Sequence, residues 1–563
     1  CRLFNMDNNQ SDENNESKQE DEEEPEQANR PIRRDVVIVG SGPVGCTYAR
    51  ILVEAGYHVI MVEAGAKESD PPGSHLKNAF RYQRDINSFT SIIKGHLQTL
   101  SVPTGGNIYP DTIDQTVELE NGTMHLNQNP DQEPKVNLSA AAATYCVGGM
   151  GTHWTCSVPR LRGKERFPHL IPDEEMDQLY DEAERYVYHT ADPYEGTMLQ
   201  STVQEALIKH YNKLGSLPAD PKALPLAVRY KKPYNFWTGP YDILLEKNYK
   251  DRKFELKDQH LATLLSPSDE NPAVIDELIV KDLRRNERIR IKAKVYIICG
   301  GAILTPQLLY NSKQRQDTWE IEMPALGKYL CEQTLAFCQI ALKKDIVDKM
   351  VQDERWSKEV KSHTMKYPDD PIKIPFNTPF PQCWIPYDDE RPWHCQVHRD
   401  AFSYGRTSLA VDNRLVVDFR YFGRSKPDEK NRVMFSDKYK DMYGMPQPKF
   451  EVTTSKEDSA TNHDMLIDMT KAALSLGGFL PDSGPQFMAP GTALHITGTV
   501  RMGTNTDDSV VDTNLCVHGF SNLYIGSNGV IPTAIAANPT LTSIALAIKS
   551  ANHIIKKLKE NGD

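Results

Sequence analysis

The feature that most constrains the fold is a glycine-rich turn between a buried strand and a helix near residue 40. Residues 35–39 form an apolar, mostly β-branched run, which is typical of a strand buried on both faces. Gly40, Gly42 and Gly45 follow at once in the spacing G-x-G-x-x-G. A segment with helical spacing comes next, and then a second apolar strand that ends in Glu63. The pattern predicts a βαβ unit of about 30 residues.

Each part of this unit suits a dinucleotide. One glycine makes the tight turn, one lets the backbone approach a pyrophosphate, and one lets the helix pack on the strand. The helix N-terminus offers free N–H groups and a partial positive charge to the phosphates. A carboxylate at Glu63 can accept hydrogen bonds from ribose hydroxyls. The sequence therefore predicts a dinucleotide site at Gly40, Gly42, Gly45 and Glu63, without distinguishing FAD from NAD.

Further pieces of a nucleotide-binding domain are spread along the chain. They include a buried strand that ends in glycines at residues 294–301, a short strand at 521–525 and a long helix at 539–558. Between them, residues 407–421 and 431–453 alternate apolar and polar side chains, which predicts antiparallel strands. The fold class is therefore predicted as α/β (α+β), with a discontinuous Rossmann-like cofactor domain and an inserted, mainly antiparallel β-sheet substrate domain.

The domain boundaries follow from this division. Residues 31–165, 235–330 and 491–563 are assigned to the cofactor domain, and residues 166–234 and 331–490 to the substrate domain. Within the first piece, residues 101–140 are rich in Pro, Gly, Asn and acidic residues. Such long irregular segments are uncommon unless functional or disordered. We interpret this segment as an oligomerisation arm or, alternatively, a flexible surface loop.

The charge of the chain is concentrated at one end. The net charge is −12, and ten acidic residues lie within the first 29 residues, against only Arg2 and Lys18. Residues 1–30 are therefore predicted to be a disordered acidic tail, because so polar a segment buries too little apolar area to offset its ordering entropy. The nearly neutral remainder lacks the basic field that a nucleic-acid partner requires.

Other classes are excluded by what the sequence lacks. No apolar run reaches the roughly 20 residues that span a bilayer, so we expect a soluble protein with no membrane partner. Its compartment stays open, because a removed leader would leave no trace. The ten cysteines include no Cys-x-x-Cys pair, so neither a disulfide framework nor a metal site is expected.

A second glycine-rich segment, at residues 147–155, contains His153 and Thr155. Glycines this dense allow backbone to lie flat against a planar ring. A histidine nitrogen can also be alkylated at the methyl carbon of an isoalloxazine ring. From the segment alone, His153 is either such a covalent anchor or an ordinary packing residue.

Two polar residues near the C-terminus could handle a proton. His495 has a side chain that can take a proton from a hydroxyl near neutral pH, and Asn538 could hold the same oxygen by a hydrogen bond. The alternatives are a core histidine and a helix cap, since Asn538 stands just before the terminal helix.

Together, these motifs resemble the glucose–methanol–choline (GMC) family of flavin oxidoreductases, and within it the enzymes that oxidise pyranose sugars. The resemblance runs from about Arg34 to the C-terminus. The nucleotide motif and the pair His495 and Asn538 match the family. Residues 301–312 match its second signature as far as Lys313, where a glycine is usual.

The resemblance implies a cofactor and a catalytic pair. It implies FAD bound covalently through His153, with Thr155 close to the reactive part of the flavin. It implies that His495 is the base that accepts the hydroxyl proton and that Asn538 orients the hydroxyl.

The resemblance also implies a substrate site. Residues 400–405 match the loop that closes over the sugar in those enzymes, and within it Asp400, Phe402 and Tyr404 are assigned to substrate binding. Gln396, just before the loop, is assigned to the same site.

The implied reaction is oxidation of aldopyranoses such as D-glucose at C2 to 2-keto sugars. Oxygen would be reduced to hydrogen peroxide, with quinones as alternative acceptors, and the protein would be a homotetramer. Three alternatives stay open: a C-glycoside oxidase or sugar dehydrogenase on the same scaffold, a flavin-binding protein without turnover, and an NAD-dependent dehydrogenase.

Overall fold

The structure is a computed structural model, and it describes residues 30–83, 85–102, 116–119, 122–125, 129–215, 219–231, 234–399, 411–560 and 562. Four groups of predicted features lie wholly or partly outside these residues. They are residues 1–29 of the tail, part of the segment 101–140, the loop residues Asp400, Phe402 and Tyr404, and residues 407–410 of the predicted strand segment 407–421.

The secondary structure mixes helices and strands along the whole described chain. The helices are α1 (Pro43–Glu54), α2 (Ile86–His96), α3 (Asp173–Tyr186), α4 (Met198–Leu214), α5 (Pro240–Leu244), α6 (Glu246–Tyr249), α7 (Gly301–Gln314), α8 (Lys344–Gln352), α9 (Ser357–Lys366), α10 (Lys456–Leu476) and α11 (Thr540–Glu560). The strands are β1 (Ile32–Val39), β2 (Val59–Glu63), β3 (Gln98–Thr99), β4 (Thr116–Leu119), β5 (Gly122–His125), β6 (Ala142–Ala143), β7 (Lys222–Ala223), β8 (Val228–Lys231), β9 (Tyr234–Trp237), β10 (Phe254–Asp258), β11 (His260–Pro267), β12 (Ile275–Asp282), β13 (Glu287–Ile298), β14 (Thr334–Leu342), β15 (Gln382–Ile385), β16 (Trp393–His398), β17 (Val416–Gly423), β18 (Arg432–Lys440), β19 (Pro446–Glu451), β20 (Gly477–Phe479), β21 (Gln486–Phe487) and β22 (Leu523–Ile525).

The first sheet is built on the predicted βαβ unit and has the strand order β10-β2-β1-β13-β12-β11, with β22 beside the end of β13. β10, β2, β1, β13 and β22 are parallel, whereas β12 and β11 continue the sheet in antiparallel pairing. The carboxyl ends of β1, β2, β13 and β22 therefore meet at one edge. Gly40, Cys299 and Gly526 follow three of these strands, and Glu63 ends the fourth. Ligands bind at this edge of such sheets.

The helices of this part begin where their sequences favour it. α1 begins at Pro43, inside the glycine motif, because proline suits the first helical position. α11 packs against α1 and α3 through a buried face. α3 ends at Tyr186, and α4 begins only at Met198. No helix within the described ranges is both long and apolar enough to cross a membrane.

The second large sheet is antiparallel and has the strand order β20-β14-β17-β16-β15-β7, with β21 beside β14. Side chains alternate along β16, as they do in any strand. Cys395 and Val397 join the hydrophobic cluster that this sheet shares with α4 and α10. His394 and Gln396 point to the opposite face, which is the face nearest the residues predicted to be catalytic. The predicted α/β class, with a parallel nucleotide-binding sheet and an antiparallel second sheet, is confirmed.

A small third sheet departs from the sequence-based interpretation. Its strand order is β19-β18-β5-β4, and β5 pairs with β18 in parallel through Thr123 with Tyr439 and Met124 with Lys440. The predicted strands in residues 431–453 therefore pair with part of the segment 101–140 rather than with the second sheet. This pairing joins pieces that the sequence assigned to different domains, and the domain boundaries stay a prediction.

The described cysteines lie inside the protein. Nine of the ten are described, and all nine are buried and free. Burial raises the pKa of the thiols, to about 12 for Cys146 and Cys331.

Candidate active site

A cavity of about 550 Å³ opens at the carboxyl edge of the parallel sheet. Its walls come from the turn after β1, the end of β2, the second glycine-rich segment, the start of α7 and the two C-terminal segments that contain His495 and Asn538. The predicted residues that line it are Gly40, Gly42, Glu63, His153, Thr155, His495 and Asn538. The fold thus brings residues from both ends of the chain to one enclosed space.

The glycines of the turn divide between two tasks. A Cβ atom at Gly45 would lie 2.1 Å from the Gly40 carbonyl oxygen, so this glycine allows α1 to pack tightly against the turn. A Cβ atom at Gly42 would have only the Gly148 oxygen within 4.0 Å and would project into the cavity. α1 begins here with no side-chain cap and no acidic residue in its first turn. These features leave a concave turn and helix N–H groups for a pyrophosphate.

Glu63 is held in place at the tip of β2. Its carboxylate accepts hydrogen bonds from the Ser41 backbone N–H at 3.1 Å, the Ser41 hydroxyl at 2.7 Å and the Gly65 N–H at 2.8 Å. Burial nevertheless raises the pKa of Glu63. Two carboxylate oxygens offer about four acceptor sites, so capacity for ribose hydroxyls remains. The turn and this carboxylate together fit the nucleotide part of FAD.

His153 lines the cavity after the 3₁₀ turn Gly149–Thr152. Its Nε2 atom lies 3.0 Å from the Thr144 hydroxyl. Burial, with a smaller contribution from neighbouring His96, lowers the pKa of His153 to about 4. The ring is therefore neutral at physiological pH and keeps a nitrogen lone pair, which a covalent flavin anchor requires.

The glycines before His153 have a structural reason of their own. A Cβ atom at Gly148 would lie 2.9 Å from Gly73 Cα, and one at Gly151 would lie 2.6 Å from the Pro240 side chain. These two glycines thus allow segments of the protein to pack together. Close approach to a planar ring, the reason inferred from the sequence, is not needed to explain them.

His495 and Asn538 come into direct contact although 43 positions separate them. Asn538 Nδ2 lies 3.1 Å from His495 Nε2. His495 faces the cavity with its ring 5.4 Å from the Phe422 ring, and desolvation lowers the pKa of His495 to about 4. The histidine is therefore a neutral base at the cavity wall.

The Asn538 side chain does not cap α11 in the described hydrogen bonds. Its Oδ1 atom accepts from the Ser157 hydroxyl at 2.9 Å and from Gln396 Nε2 at 2.7 Å. Gln396 is buried behind Asn538 and is not among the described residues that line the cavity, so its assignment to substrate binding stays a prediction.

Sequence reasoning missed several polar neighbours of this pair. Gln333 Oε1 lies 2.8 Å from His495 Nδ1, and the Glu332 carboxylate accepts the backbone N–H of His495 at 3.2 Å. Ser157 contacts Asn538 directly, and His394 lies behind it through Gln396. Each is an ordinary polar residue in its own segment, so no local signal distinguishes it.

Comparisons with known proteins support the fold and the family. A family model described as GMC oxidoreductase matches residues 427–547, and one described as FAD binding domain matches residues 33–80. Among solved structures, a formate oxidase superposes with a TM-score of 0.61 at 14% identity, covering 94% of this chain and 99% of its own. A pyridoxine 4-oxidase from Mesorbium loti superposes with a TM-score of 0.61 at 15% identity, covering 92% of this chain and 98% of its own. At such identities these structures support the fold alone.

Sequence relatives are much closer. Pyranose 2-oxidase of Emericella nidulans is 42% identical, covering 94% of this chain and 93% of the relative. Pyranose 2-oxidase of Tricholoma matsutake is 39% identical, covering 93% and 94%. C-glycoside 3-oxidase of Microbacterium trichothecenolyticum is 31% identical, covering 94% and 98%. The chain is therefore an FAD-dependent oxidoreductase of the GMC family, in the branch that contains the pyranose 2-oxidases.

Proposed function

We propose that this protein oxidises aldopyranoses such as D-glucose at C2 to 2-keto sugars. Oxygen is reduced to hydrogen peroxide, and quinones serve as alternative acceptors. Relatives named pyranose 2-oxidase match nearly the whole chain at 38–42% identity. The observation that carries the proposal is the pair at the cavity wall, where His495 Nε2 and Asn538 Nδ2 are 3.1 Å apart.

The pair can deprotonate a sugar hydroxyl. A carbinol carbon loses hydride readily only when its hydroxyl proton leaves. His495, neutral at physiological pH, accepts that proton at Nε2. Asn538 Nδ2 has two hydrogens, so it can donate one to the sugar oxygen and orient the hydroxyl.

FAD, when bound, supplies the acceptor for the hydride that leaves the sugar carbon. Gly40, Gly42 and the start of α1 would hold its pyrophosphate, and Glu63 would bind a ribose. His153 would hold it covalently, and Thr155, which lines the same cavity, would contact it. The open turn at Gly42 and the neutral ring of His153 support these assignments.

Asp400, Phe402 and Tyr404 would close over the sugar and exclude water. In the sequence these residues follow β16, whose Gln396 hydrogen-bonds to Asn538. Gln396 contributes to the same site through Asn538.

We also infer a homotetramer, in which residues 101–140 contribute to assembly. An aromatic patch supports buried contacts between subunits: Phe80 is 79% exposed, and its ring lies 6.1 Å from that of half-exposed Tyr234. Phe236 on the same strand is 42% exposed. Large exposed aromatic clusters mark interaction sites.

The decisive experiment is a visible spectrum of the purified protein before and after anaerobic D-glucose, and then after air. The proposal expects flavin bleaching by glucose, recovery of the yellow colour in air, one peroxide for each sugar, and a 2-keto product by NMR. A flavin that glucose does not bleach would contradict it, and so would a colourless protein that requires NAD.

The second candidate is a C-glycoside 3-oxidase, favoured by relatives that are 30–31% identical over 94% of this chain. The same spectrum recorded with free glucose and with C-glycosylated phenols separates the two. Faster bleaching by the C-glycosides, with a 3-keto product, would favour this candidate.

A further inference from the structure

Gln333 lies beside the catalytic pair without lining the cavity among the described residues. It stands just before β14 and two residues after Cys331, whose backbone pairs in antiparallel with that of Thr497. This pairing brings position 333 against His495. The Gln333 side chain is buried, with 5% exposure.

The two ends of the Gln333 amide have different partners. Nε2 lies 2.9 Å from the carbonyl oxygen of Ala537, and Oε1 lies 2.8 Å from His495 Nδ1. A carbonyl oxygen only accepts, so the NH₂ group must face Ala537. The oxygen of Gln333 therefore faces His495 and accepts a hydrogen bond from Nδ1–H.

The contacts on the opposite side of the imidazole are compatible with the same answer. Asn538 Oδ1 accepts from the Ser157 hydroxyl and from Gln396, so its NH₂ group faces His495 Nε2. A ring nitrogen that accepts a hydrogen bond must carry a lone pair rather than a proton. Both amides therefore select one tautomer of neutral His495, with the proton on Nδ1 and the lone pair on Nε2.

We propose that Gln333 is a positioning residue that fixes the tautomer of His495 and links its ring to the backbone of residue 537. This link keeps the proton-accepting nitrogen of His495 correctly placed relative to Asn538. The inference rests on the proposed role of His495 as the base. Only the Nδ1-protonated tautomer has an acceptor lone pair at Nε2, which faces the Asn538 amide here and which a sugar hydroxyl would use in its place. The contact with Ala537, the residue before Asn538, couples the positions of the two catalytic side chains.

An amide suits this task better than a carboxylate. A charged partner at Nδ1 would favour the imidazolium form, which cannot accept a proton. The titratable groups that face His495 are Glu332 and His394, and burial favours the neutral form of both. It raises the pKa of Glu332 to about 8 and lowers the pKa of His394 to about 3. Gln333 therefore orients the base without charging it.

The test compares three substitutions at this position. Gln333→Met keeps the volume but removes the acceptor, and Gln333→Asn keeps the amide but is too short to reach Nδ1. An enforced wrong tautomer costs about 10⁴-fold in the best-studied catalytic histidine. A His495 ring without its Nδ1 partner can still sample the correct tautomer, so the loss of rate should be smaller. We expect both variants to slow anaerobic flavin reduction by glucose about 10- to 100-fold, with little change in apparent glucose affinity. Gln333→Glu retains an acceptor oxygen, but a carboxylate at this position favours the imidazolium form, so we expect its rate of flavin reduction to begin falling at a higher pH than that of the unaltered protein.

Gln132→Met is the matched control. Gln132 is another buried glutamine, and its amide bonds to the Phe450 backbone away from the cavity. We expect this variant to lose thermal stability but to keep a normal rate of flavin reduction. A comparable loss of rate in Gln132→Met would mean that general destabilisation explains the effect.

The tautomer has its own readout. ¹⁵N NMR of histidine-labelled protein, with the His495 signals assigned by their loss in His495→Ala, should show Nδ1 protonated and Nε2 bare in the unaltered protein, and a changed ratio in Gln333→Met. Unaltered protein that glucose does not bleach would overturn the proposed function. Normal bleaching in Gln333→Met and Gln333→Asn with the tautomer unchanged would overturn this inference alone.

Discussion

His495 can act as a base only while its ring is uncharged. Enclosure in the cavity lowers the pKa of His495 to about 4, and no described carboxylate contacts the ring nitrogens to offset that effect. The same reasoning applies to His153, whose ring is neutral for the same cause. Under the proposed function, desolvation keeps both rings neutral, so that His495 can accept a proton and His153 can bond to a carbon atom of the flavin.

The pH dependence of the sugar half-reaction follows from this shift. Above the pKa His495 is neutral and competent, so we expect a constant rate of anaerobic flavin reduction at neutral pH that falls as the pH drops through about 4. Stopped-flow bleaching by glucose, with circular dichroism to verify folding at each pH, measures it. An acidic limb near 6.5, the ordinary histidine value, would contradict the assignment.

Removing the base gives the largest expected effect. His495→Ala should slow flavin reduction about 10²- to 10⁴-fold, because it deletes the proton acceptor. The exposed His58 offers a matched control, and His58→Ala should react normally. Near-normal bleaching in His495→Ala would refute the role.

The covalent bond has a simple chemical test. If His153 holds the flavin, acid precipitation of the unaltered protein should leave a yellow pellet, whereas His153→Ala should bind flavin that acid releases into the supernatant. Thr155→Ala, which changes a neighbouring cavity residue, should keep the pellet yellow. Release of flavin from the unaltered protein would show that no covalent link exists.

At the scale of the element, the β1–α1 turn separates binding from packing. Gly42 has a φ of −66°, which alanine adopts freely, and its absent side chain leaves space in the cavity. We expect Gly42→Ala to fold but to contain less FAD, measured as the ratio of absorbance at 450 and 280 nm.

Gly45→Ala should behave in the opposite way. Its Cβ would meet the Gly40 carbonyl oxygen at 2.1 Å, which forces the backbone to shift. Overpacking of this kind typically costs about 1–3 kcal/mol, so the thermal unfolding midpoint should fall. Equal unfolding midpoints for the two variants would contradict this division of roles.

At the scale of the whole molecule, the exposed aromatic patch predicts assembly. Light scattering of the full chain should give about four times 63.6 kDa, and Phe80→Asp should lower that mass, because a charge in a subunit contact remains unpaired. Met365→Asp changes another exposed apolar residue, on α9, and serves as the control. A monomeric mass for the unaltered protein would refute the tetramer.

The sequence predicted the parts of this molecule whose chemistry is local. Short sequence segments are enough to predict the G-x-G-x-x-G turn, the acid at Glu63 and the terminal helix. The resemblance then implied the roles of His495 and Asn538. The pairing of β5 with β18 could not be predicted, because it joins segments more than 300 residues apart. Gln333 was missed for the same reason, since only the folded chain brings its amide to the imidazole.

The burial of the cysteine thiols has a consequence for how the enzyme is inactivated during turnover. Under the proposed function the enzyme releases peroxide and is exposed to its own product, and thiolates are the sulfur species that peroxide attacks fastest. The nine described cysteines are buried and free, and high thiol pKa values keep them protonated. We therefore expect inactivation during prolonged turnover to begin at other side chains, such as the exposed Met365 and Met442, rather than at sulfhydryl groups.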